Sequence, residues 1–545
     1  GTSYFGSLGF TREDGALINS GFQRFSSLLN LEQKLSNILT AGIKLQYANS
    51  AYEGLIGDWR AENAVGQANF LNPYINRDNI LGNIDGVVNN GGQGIGLESP
   101  EYRLNNLFSE RGSDWLAGNL NLSLKPVSWL ELAVTGGVIT ENFNSDYYAP
   151  SFLREAFNEK GRVDLTKRRD NRLVIQPRLA IKHKFKSGHG INATFVYEAR
   201  RESQTSLFTR YQQFNTEVLG INSLAAAKII TSTPTYVDKR DRSYIGRVQY
   251  DFKSKYILTA STRIDQSSRF ITDPTGVFPA VSAAWNVSEE KFLQKLDKVL
   301  STFKIRAGFG ITGNNQIPTN AGLSLANISN VAYPFNDAIN TAVNPSSRFA
   351  NSEITWETTR GINFGVDFGF FKDRFTLTSN YYDNRTTGLL LDIQLPTYSA
   401  FTSSIQNLGS LENKGLEFEL FSRNISKPGF SWTTNFNIAF NRNKILDLGG
   451  QPEIGFRAIG TGSLPNDVIL RVGGPIGVYY GTIQSGLINN DIERYNATRK
   501  VQDHNTGEFD FFDIDGNGTA EAATDGVLLL RYMLGLRGNG LISGA

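Results

Sequence analysis

The 545-residue sequence contains no cysteine, which excludes a disulfide framework, thiolate catalysis and a cysteine zinc site. Its 54 basic and 52 acidic residues leave a net charge of +2, so no overall field attracts nucleic acid or an acidic substrate. The 36 Phe, 21 Tyr and 54 Gly, with a single Met, favour strands and turns over helical bundles and predict an all-β fold.

Apolar and polar residues alternate with the period of a β-strand along the whole chain. We count about 15 or 16 strand candidates. Clear examples begin at Leu120, Leu130, Pro177, Tyr244, Tyr256, Ile305, Ile362 and Trp432. Residues 289–300 follow a helical pattern, but they lie between two strands and predict only a short turn element.

Connections between these strands alternate between tight turns and long polar segments. The tight turns are at 125–127, 186–189, 252–255 and 371–374, and the long segments are 51–111, 142–169, 202–238 and 313–353. Structureless segments of that length are uncommon in soluble domains. Strict alternation is expected of a transmembrane β-barrel with short periplasmic turns and long extracellular loops.

Aromatic residues gather near the tight turns, as do Tyr250 and Tyr256 beside Lys253. This predicts an aromatic girdle at the membrane interface, and ordinary strand aromatics are the alternative. No run approaches the roughly 18 to 20 apolar residues of a membrane helix. Mean hydropathy is −0.28, which a barrel also gives, because only alternate strand residues face lipid. The first residues, from Gly1, already predict a strand rather than a signal peptide, so we expect the natural N-terminus to lie upstream.

Several blocks resemble the SusC/RagA-type barrels of TonB-dependent outer-membrane transporters. The central blocks are 265–270, 276–292 and 304–315, which occur in order. Further matches are the opening strand from Leu8, Glu353-Ile-Thr-Trp-Glu, Tyr381-Tyr-Asp-Asn-Arg, Asn407-Leu-Gly, Asn413-Lys-Gly-Leu-Glu and Gly474-Pro-Ile-Gly-Val-Tyr-Tyr-Gly. The resemblance spans roughly Gly1 to Asp515.

The resemblance implies a plugged barrel of about 22 strands in the bacterial outer membrane, of which this chain would supply about 16. It also implies import of oligosaccharides or peptides with a SusD-like lipoprotein, powered by the TonB complex. We expect the chain to depart from the family at its ends, without the TonB box, the plug domain and the final strands. We therefore expect residues 1–510 to be a partial barrel embedded in the lipid bilayer.

Residues 511–545 predict a separate acidic loop and short helix. Oxygen-bearing residues occupy positions 1, 3 and 5 of the loop, with Gly at position 6 and a further ligand position at 7, a spacing that suits calcium. The candidate ligands are Asp513, Asp515, Asn517, Thr519 and Asp525. Asp525 stands one residue beyond the usual twelfth position, and the segment after it resembles the helix of a dockerin. A polar turn without metal and a gene junction are the alternatives.

No catalytic residues are expected. His183, His189 and His504 form no paired constellation, and the acidic pairs Glu289-Glu290 and Glu417 with Glu419 read as polar turn or strand faces. No cofactor is required, apart from calcium at the C-terminal loop.

Aromatic residues of the long loops are candidates for stacking on sugars or, equally, for packing loops together. They are Trp59, Tyr147, Tyr148 and Trp356. The second functional hypothesis is a surface adhesion or scaffold protein with a calcium-binding, dockerin-like tail, supported only by the segment 513–536.

Overall fold

The computed structural model describes residues 1–54, 100–296, 298–323, 325–335, 338–399, 401–457 and 468–480. The chain forms two compact units. Unit 1 comprises residues 1–289, 315–355 and 394–404, and unit 2 comprises residues 290–314, 356–393 and 405–545.

Strands account for most of the described residues. The first ten strands are β1 (Thr2–Asp14), β2 (Gly21–Lys34), β3 (Leu39–Glu53), β4 (Phe108–Val127), β5 (Leu130–Ala149), β6 (Arg162–Lys184), β7 (His189–Phe214), β8 (Ala227–Phe252), β9 (Tyr256–Ser267) and β10 (Thr275–Asn286). The others are β11 (Leu300–Asn314), β12 (Ala326–Phe335), β13 (Ala338–Pro345), β14 (Arg348–Phe349), β15 (Glu357–Phe370), β16 (Phe375–Thr387), β17 (Leu390–Gln394), β18 (Ser403–Asn407), β19 (Ser410–Lys427), β20 (Phe430–Asp447), β21 (Glu453–Arg457), β22 (Val468–Arg471) and β23 (Val478–Tyr479).

Helices are short. The α-helices are α1 (Pro100–Asn106) and α2 (Arg154–Phe157). A 3-10 helix with a kink at Ser223 occupies Gly220–Ala226, and single turns of 3-10 helix occupy Val287–Glu289, Gln294–Leu296 and Thr397–Ser399. The pattern at 289–300 thus gives turns rather than an α-helix, as predicted. No helix in the described part of the chain is both long enough and apolar enough to cross a membrane.

Unit 1 is built on an antiparallel meander in which β1 to β10 pair in chain order. Unit 2 contains a second antiparallel run, β11-β15-β16-β19-β20. These fifteen long strands agree with the predicted number of about 15 or 16. The short strands β21, β22 and β23 form a small antiparallel sheet within unit 2.

The meander of unit 1 has one apolar face and one charged face. Register sets Leu132, Leu179 and Phe195 opposite one another on β5, β6 and β7. Leu132 and Phe195 are 42% and 47% exposed. Successive strand residues point to opposite faces, and on the other face Glu131 pairs with Arg178 at 2.8 Å. A sheet that separates lipid from water requires such a division.

Unit 2 repeats this division. Phe364, Tyr381, Leu416 and Phe440 lie in one cross-strand row on β15, β16, β19 and β20, and each ring or side chain is at least 39% exposed. On the charged face, register sets Arg306 opposite Gly365 on the neighbouring strand.

Two predicted long loops are wrong. Residues 142–169 and 202–238 are mostly strand, and the connections between strands are only 150–161 and 215–226. Charged residues occur at both odd and even positions in these stretches, a pattern that predicts a loop rather than a strand. Cross-strand ion pairs continue the ladder instead, as with Arg201 and Asp238 at 3.0 Å. Residues 313–353 also contain structure, since β12 and β13 pair as a hairpin.

The tight turns are confirmed, with one shift. β4 continues to Val127, so the predicted turn at 125–127 lies at Ser128-Trp129 instead. The extra residues are accommodated by a bulge between Leu124 and Val127, a device that keeps neighbouring strands paired across an irregularity.

Candidate functional site

Two cross-strand rows on the charged face of unit 1 form a polar groove. One row sets Trp115, Glu141, Asp170, Gln204 and Val237 opposite one another on β4 to β8. The neighbouring row places charged residues beside it. These are Arg172, Glu202 and Lys239, on β6, β7 and β8. Alternation and register together therefore bring charges from distant parts of the sequence onto one wall.

The polar groove encloses a cavity of about 590 Å³. Its lining is Trp115, Ile139, Glu141, Asp170, Asn171, Arg172, Glu202, Ser203, Gln204, Val237 and Lys239. A volume of this size lies within the range of small-molecule binding sites, roughly 300 to 1,000 Å³.

Ion pairs and amide hydrogen bonds hold the charged side chains of the groove in place. Arg172 Nε lies 2.9 Å from a carboxylate oxygen of Glu202, and Lys239 Nζ lies 4.0 Å from the other oxygen. Gln204 Nε2 donates to Asp170 at 2.6 Å. The wall thus offers carboxylates, cations and an amide around an indole ring, which suits a ligand rich in hydroxyls, amides or charged termini.

A second polar cluster, which we call the cap cluster, lies at the far ends of β5, β6 and β7. It consists of Arg103, Tyr147, Glu155, Arg162, Asp164 and Arg210. Arg103, on α1, is 3% exposed and donates to Glu155 at 3.0 Å. Arg162 lies 3.5 Å from the same carboxylate. Asp164 lies next to it, 3.5 Å from Arg162 and in a two-bonded pair with Arg210.

The structure decides between the two roles proposed for Tyr147 and Tyr148, because both tyrosines pack loops together. Tyr147 donates its hydroxyl to Glu155, and its ring packs against the buried residues Ala149, Leu153 and Ala156. Tyr148 is 8% exposed. Tyr148 is therefore buried, and Tyr147 is partly buried against the connection 150–161.

The connection 215–226 is tied to the connection 150–161 through Glu217. Its carboxylate accepts hydrogen bonds from the Ser151 backbone N–H at 3.1 Å, from the Ser151 hydroxyl and from the Tyr148 hydroxyl at 3.3 Å. Burial, followed by the adjacent charges of Glu155 and Glu217, raises the pKa of Tyr147 and of Tyr148 above the ordinary value of 10.0. Both hydroxyls therefore remain proton donors at neutral pH.

The other candidates from the sequence fall in different places. Trp356 is partly buried just before β15. His189 bonds the Tyr250 hydroxyl at 2.6 Å near a short turn, and His183 packs edge-on to Phe185. Glu289 closes a 3-10 turn, while Glu417 and Glu419 are exposed on β19.

The predicted metal ligands lie in a part of the chain that the structure does not describe. Outside the described residues are Trp59, His504, Asp513, Asp515, Asn517, Thr519 and Asp525. Within the ranges that are described, no three His, Cys, Asp or Glu side chains gather as a metal site would require.

The polar groove is not among the sites predicted from the sequence. Six of its eleven lining residues lie in charge-dense runs at 168–172, 199–203 and 238–242, which fall in or beside the segments predicted as long loops. The sequence feature that could have revealed the groove is the matching order of charges in successive runs, because oppositely charged residues tend to face each other across paired strands.

Comparison with known proteins identifies the barrel. The family model described as TonB dependent receptor-like, beta-barrel matches residues 22–526, a range that extends into the acidic loop. TonB-dependent receptor P3 of Formosa agariphila is 28% identical over 528 residues, covering 96% of this chain and 52% of the relative. TonB-dependent receptor SusC of Bacteroides thetaiotaomicron is 33% identical over 288 residues, covering 51% of this chain and 27% of the relative.

A solved structure, that of the RagAB peptide transporter, has the same fold. It aligns with a TM-score of 0.73 and 22% identity, over 88% of this chain and 52% of that one. The chain spans about half the length, or less, of the curated relatives that it matches. These relatives are receptors rather than enzymes, in agreement with the expectation from the sequence.

Proposed function

Because this chain belongs to the family of TonB dependent receptor-like β-barrels of the bacterial outer membrane, we propose that it forms the wall of an importer for oligosaccharides or peptides. A closed channel wall needs an apolar face toward lipid and a polar face toward the solute. The single observation that carries the proposal is the polar groove, which lies on the charged face of a sheet whose opposite face is apolar.

The chemistry of the groove supports both solute classes. Trp115 supplies the flat ring on which a sugar stacks, and the carboxylate of Glu141 stands opposite it on β5. Arg172, Glu202 and Lys239 alternate in charge, which suits the charged termini and amides of a short peptide. The solved relative is named as a peptide transporter.

Two partners are part of the proposal. A SusD-like lipoprotein would deliver the solute, since the chain resembles SusC in sequence over 288 residues. The TonB complex would supply energy, as the family description indicates. Both partners are proposed for the whole protein, because this chain covers only about half the length of the relative P3.

Uptake by cells that carry the complete gene tests the proposal. We expect the protein in the outer-membrane fraction, with a band that migrates faster before heating. Trp115→Ala and Glu202→Gln should each lower uptake of a labelled solute about tenfold. The matched control is Trp129→Ala, which removes an indole at a short turn, outside the groove, and should leave uptake unchanged. Loss in all three variants, or in none, would count against the groove.

We further propose that residues 511–545 form a calcium-binding module after a barrel that ends near residue 510. The support is the spacing of Asp513, Asp515, Asn517 and Thr519, which occupy positions 1, 3, 5 and 7 of a calcium loop, with Asp525 one residue beyond the usual twelfth position. Calcium titration of the chain by calorimetry should give one site, and the double variant D513A/D515A should abolish it. The control is E521Q, which should retain the site, because the residue at position 9 of such a loop often binds calcium through a water molecule.

If calcium binds while uptake does not depend on this chain, the adhesion or scaffold function with a dockerin-like tail becomes the better account. If neither is observed, both functional proposals fail.

A further inference from the structure

The short turns at one end of the unit 1 sheet are uniformly basic. They join β2 to β3, β4 to β5, β6 to β7 and β8 to β9, and every second connection of an antiparallel meander lies at the same end. We call their lysines the lysine belt. It consists of Lys34, Lys125, Lys184, Lys186, Lys253 and Lys255. The segments 34–39, 125–130, 184–189 and 252–256 contain no acidic residue.

The described connections at the opposite end of the sheet have no basic excess. Segment 150–161 contains two basic and two acidic residues, and segment 268–274 contains one of each. Segment 215–226 has one acidic residue and no basic one. The basic excess is therefore a property of these four turns, since the connection 287–299 after β10 has three acidic and three basic residues, and it does not follow from the net charge of +2 over the whole chain.

Exposed aromatic rings stand beside the lysine belt. Trp129, Phe185 and Tyr256 are 42%, 45% and 46% exposed at the same turns. The ammonium of Lys253 lies 5.1 Å from the centroid of the Phe252 ring. Rings at the lipid boundary, with lysines that reach past them, characterise the interface of a bilayer. The belt thus lies at headgroup level, where the apolar face of the sheet ends.

We propose that the lysine belt binds the phosphates of anionic phospholipids in the leaflet that the short turns face. Five of its lysines are exposed, and Lys255 is half-buried. An ammonium group close to anionic headgroups strengthens the association with them. Short turns of outer-membrane barrels face the periplasm, so the leaflet is the inner one. The inference concerns lipid selection and stands whatever solute the protein carries.

The test is the relative association of spin-labelled phosphatidylglycerol and spin-labelled phosphatidylcholine with the chain in phosphatidylcholine bilayers. The motionally restricted fraction of each label reports the lipid in contact with the protein. We expect phosphatidylglycerol to associate several-fold more strongly, and added salt to weaken that preference because it screens exposed charges. The triple variant K125Q/K186Q/K253Q should reduce the preference about two- to fivefold.

The matched control is K160Q/K167Q/K228Q, which removes three exposed lysines at the opposite end of the same strands. Each triple includes one lysine with positive φ, Lys253 or Lys160, so backbone strain is matched. Equal association of the two lipids with the unmodified chain would overturn the proposal. So would equal loss in both triple variants. Binding to purified peptidoglycan that only the belt triple loses, with lipid preference unchanged, would assign the belt to the cell wall instead.

Discussion

Arg210 and Asp164 stand directly opposite each other on β7 and β6, and the guanidinium donates two hydrogen bonds to the carboxylate at 2.7 and 2.8 Å. The hydrogen bonds to the Asp164 carboxylate raise the pKa of Arg210 above its ordinary value. Such a paired geometry fixes the register of two strands far from the short turn that joins them. The pair stabilises the ladder next to residues 166–172, a stretch that is polar at every position.

Loss of this pair should loosen the outer part of the ladder. We expect Arg210→Lys, which keeps the charge but cannot form both bonds, to speed amide exchange in 162–170 about fivefold, equivalent to about 1 kcal/mol. Hydrogen exchange with mass spectrometry measures this. Arg240→Lys is the control, because Arg240 is 66% exposed beside Asp238 and should change exchange little. Equal protection in both variants would show that the pair does not stabilise the ladder.

Glu155 should be the most sensitive residue of the cap cluster. Its carboxylate meets Arg103, Arg162 and the Tyr147 hydroxyl, so Glu155→Gln removes the charge that two guanidinium groups share. We expect a loss of about 2 kcal/mol in the free energy of unfolding, seen as a lower thermal midpoint. Tyr147→Phe deletes only one of these bonds and should cost about 1 kcal/mol. The prediction fails if the two variants melt together.

The cap cluster should respond to alkaline pH. The raised pKa of Tyr147 and of Tyr148 means that the folded protein favours the neutral phenol, so this contribution to stability is complete below pH 10.0 and is lost as pH rises further. Phenolate absorbance against pH should show a late step, accompanied by faster exchange in 150–161. The double variant Y147F/Y148F should lack that step. A late step of the same size in the double variant would contradict the assignment.

Gly415 should not tolerate a methyl group. A Cβ there would lie 2.7 Å from the Phe440 carbonyl oxygen and closer still to the Tyr382 hydroxyl. Gly415→Ala should therefore destabilise unit 2 by about 2 kcal/mol, measured as a lower urea midpoint. Gly136→Ala is the control, since a Cβ at that position would meet nothing within 4 Å, and its midpoint should stay within error. A shift of similar size in both variants would indicate a general effect of losing glycine.

Alternation at positions such as Leu132 and Phe195 is enough to predict the strands, because lipid demands a strict period of two. A strict period of two is not required in the parts of the strands that lie outside the membrane. Residues 166–172 are polar at every position, so their sequence carries no alternation although their backbone remains paired. The cap cluster could not be predicted from the sequence for another reason. Arg103 and Glu155 are 52 residues apart and come into contact only through the packing of the folded chain.

The strand β7 extends over 26 residues, far more than a bilayer needs. At about 3.3 Å per residue and a tilt of about 40°, it rises about 65 Å, of which the hydrocarbon core takes about 30 Å. Glu202 of the polar groove lies midway along this strand, about 33 Å above the short turn, so a solute meets the groove just outside the hydrocarbon core. Substitutions in the part of the strands beyond the lipid do not affect membrane insertion. Selection can therefore alter the ligand-binding residues there while the lipid-facing residues stay the same.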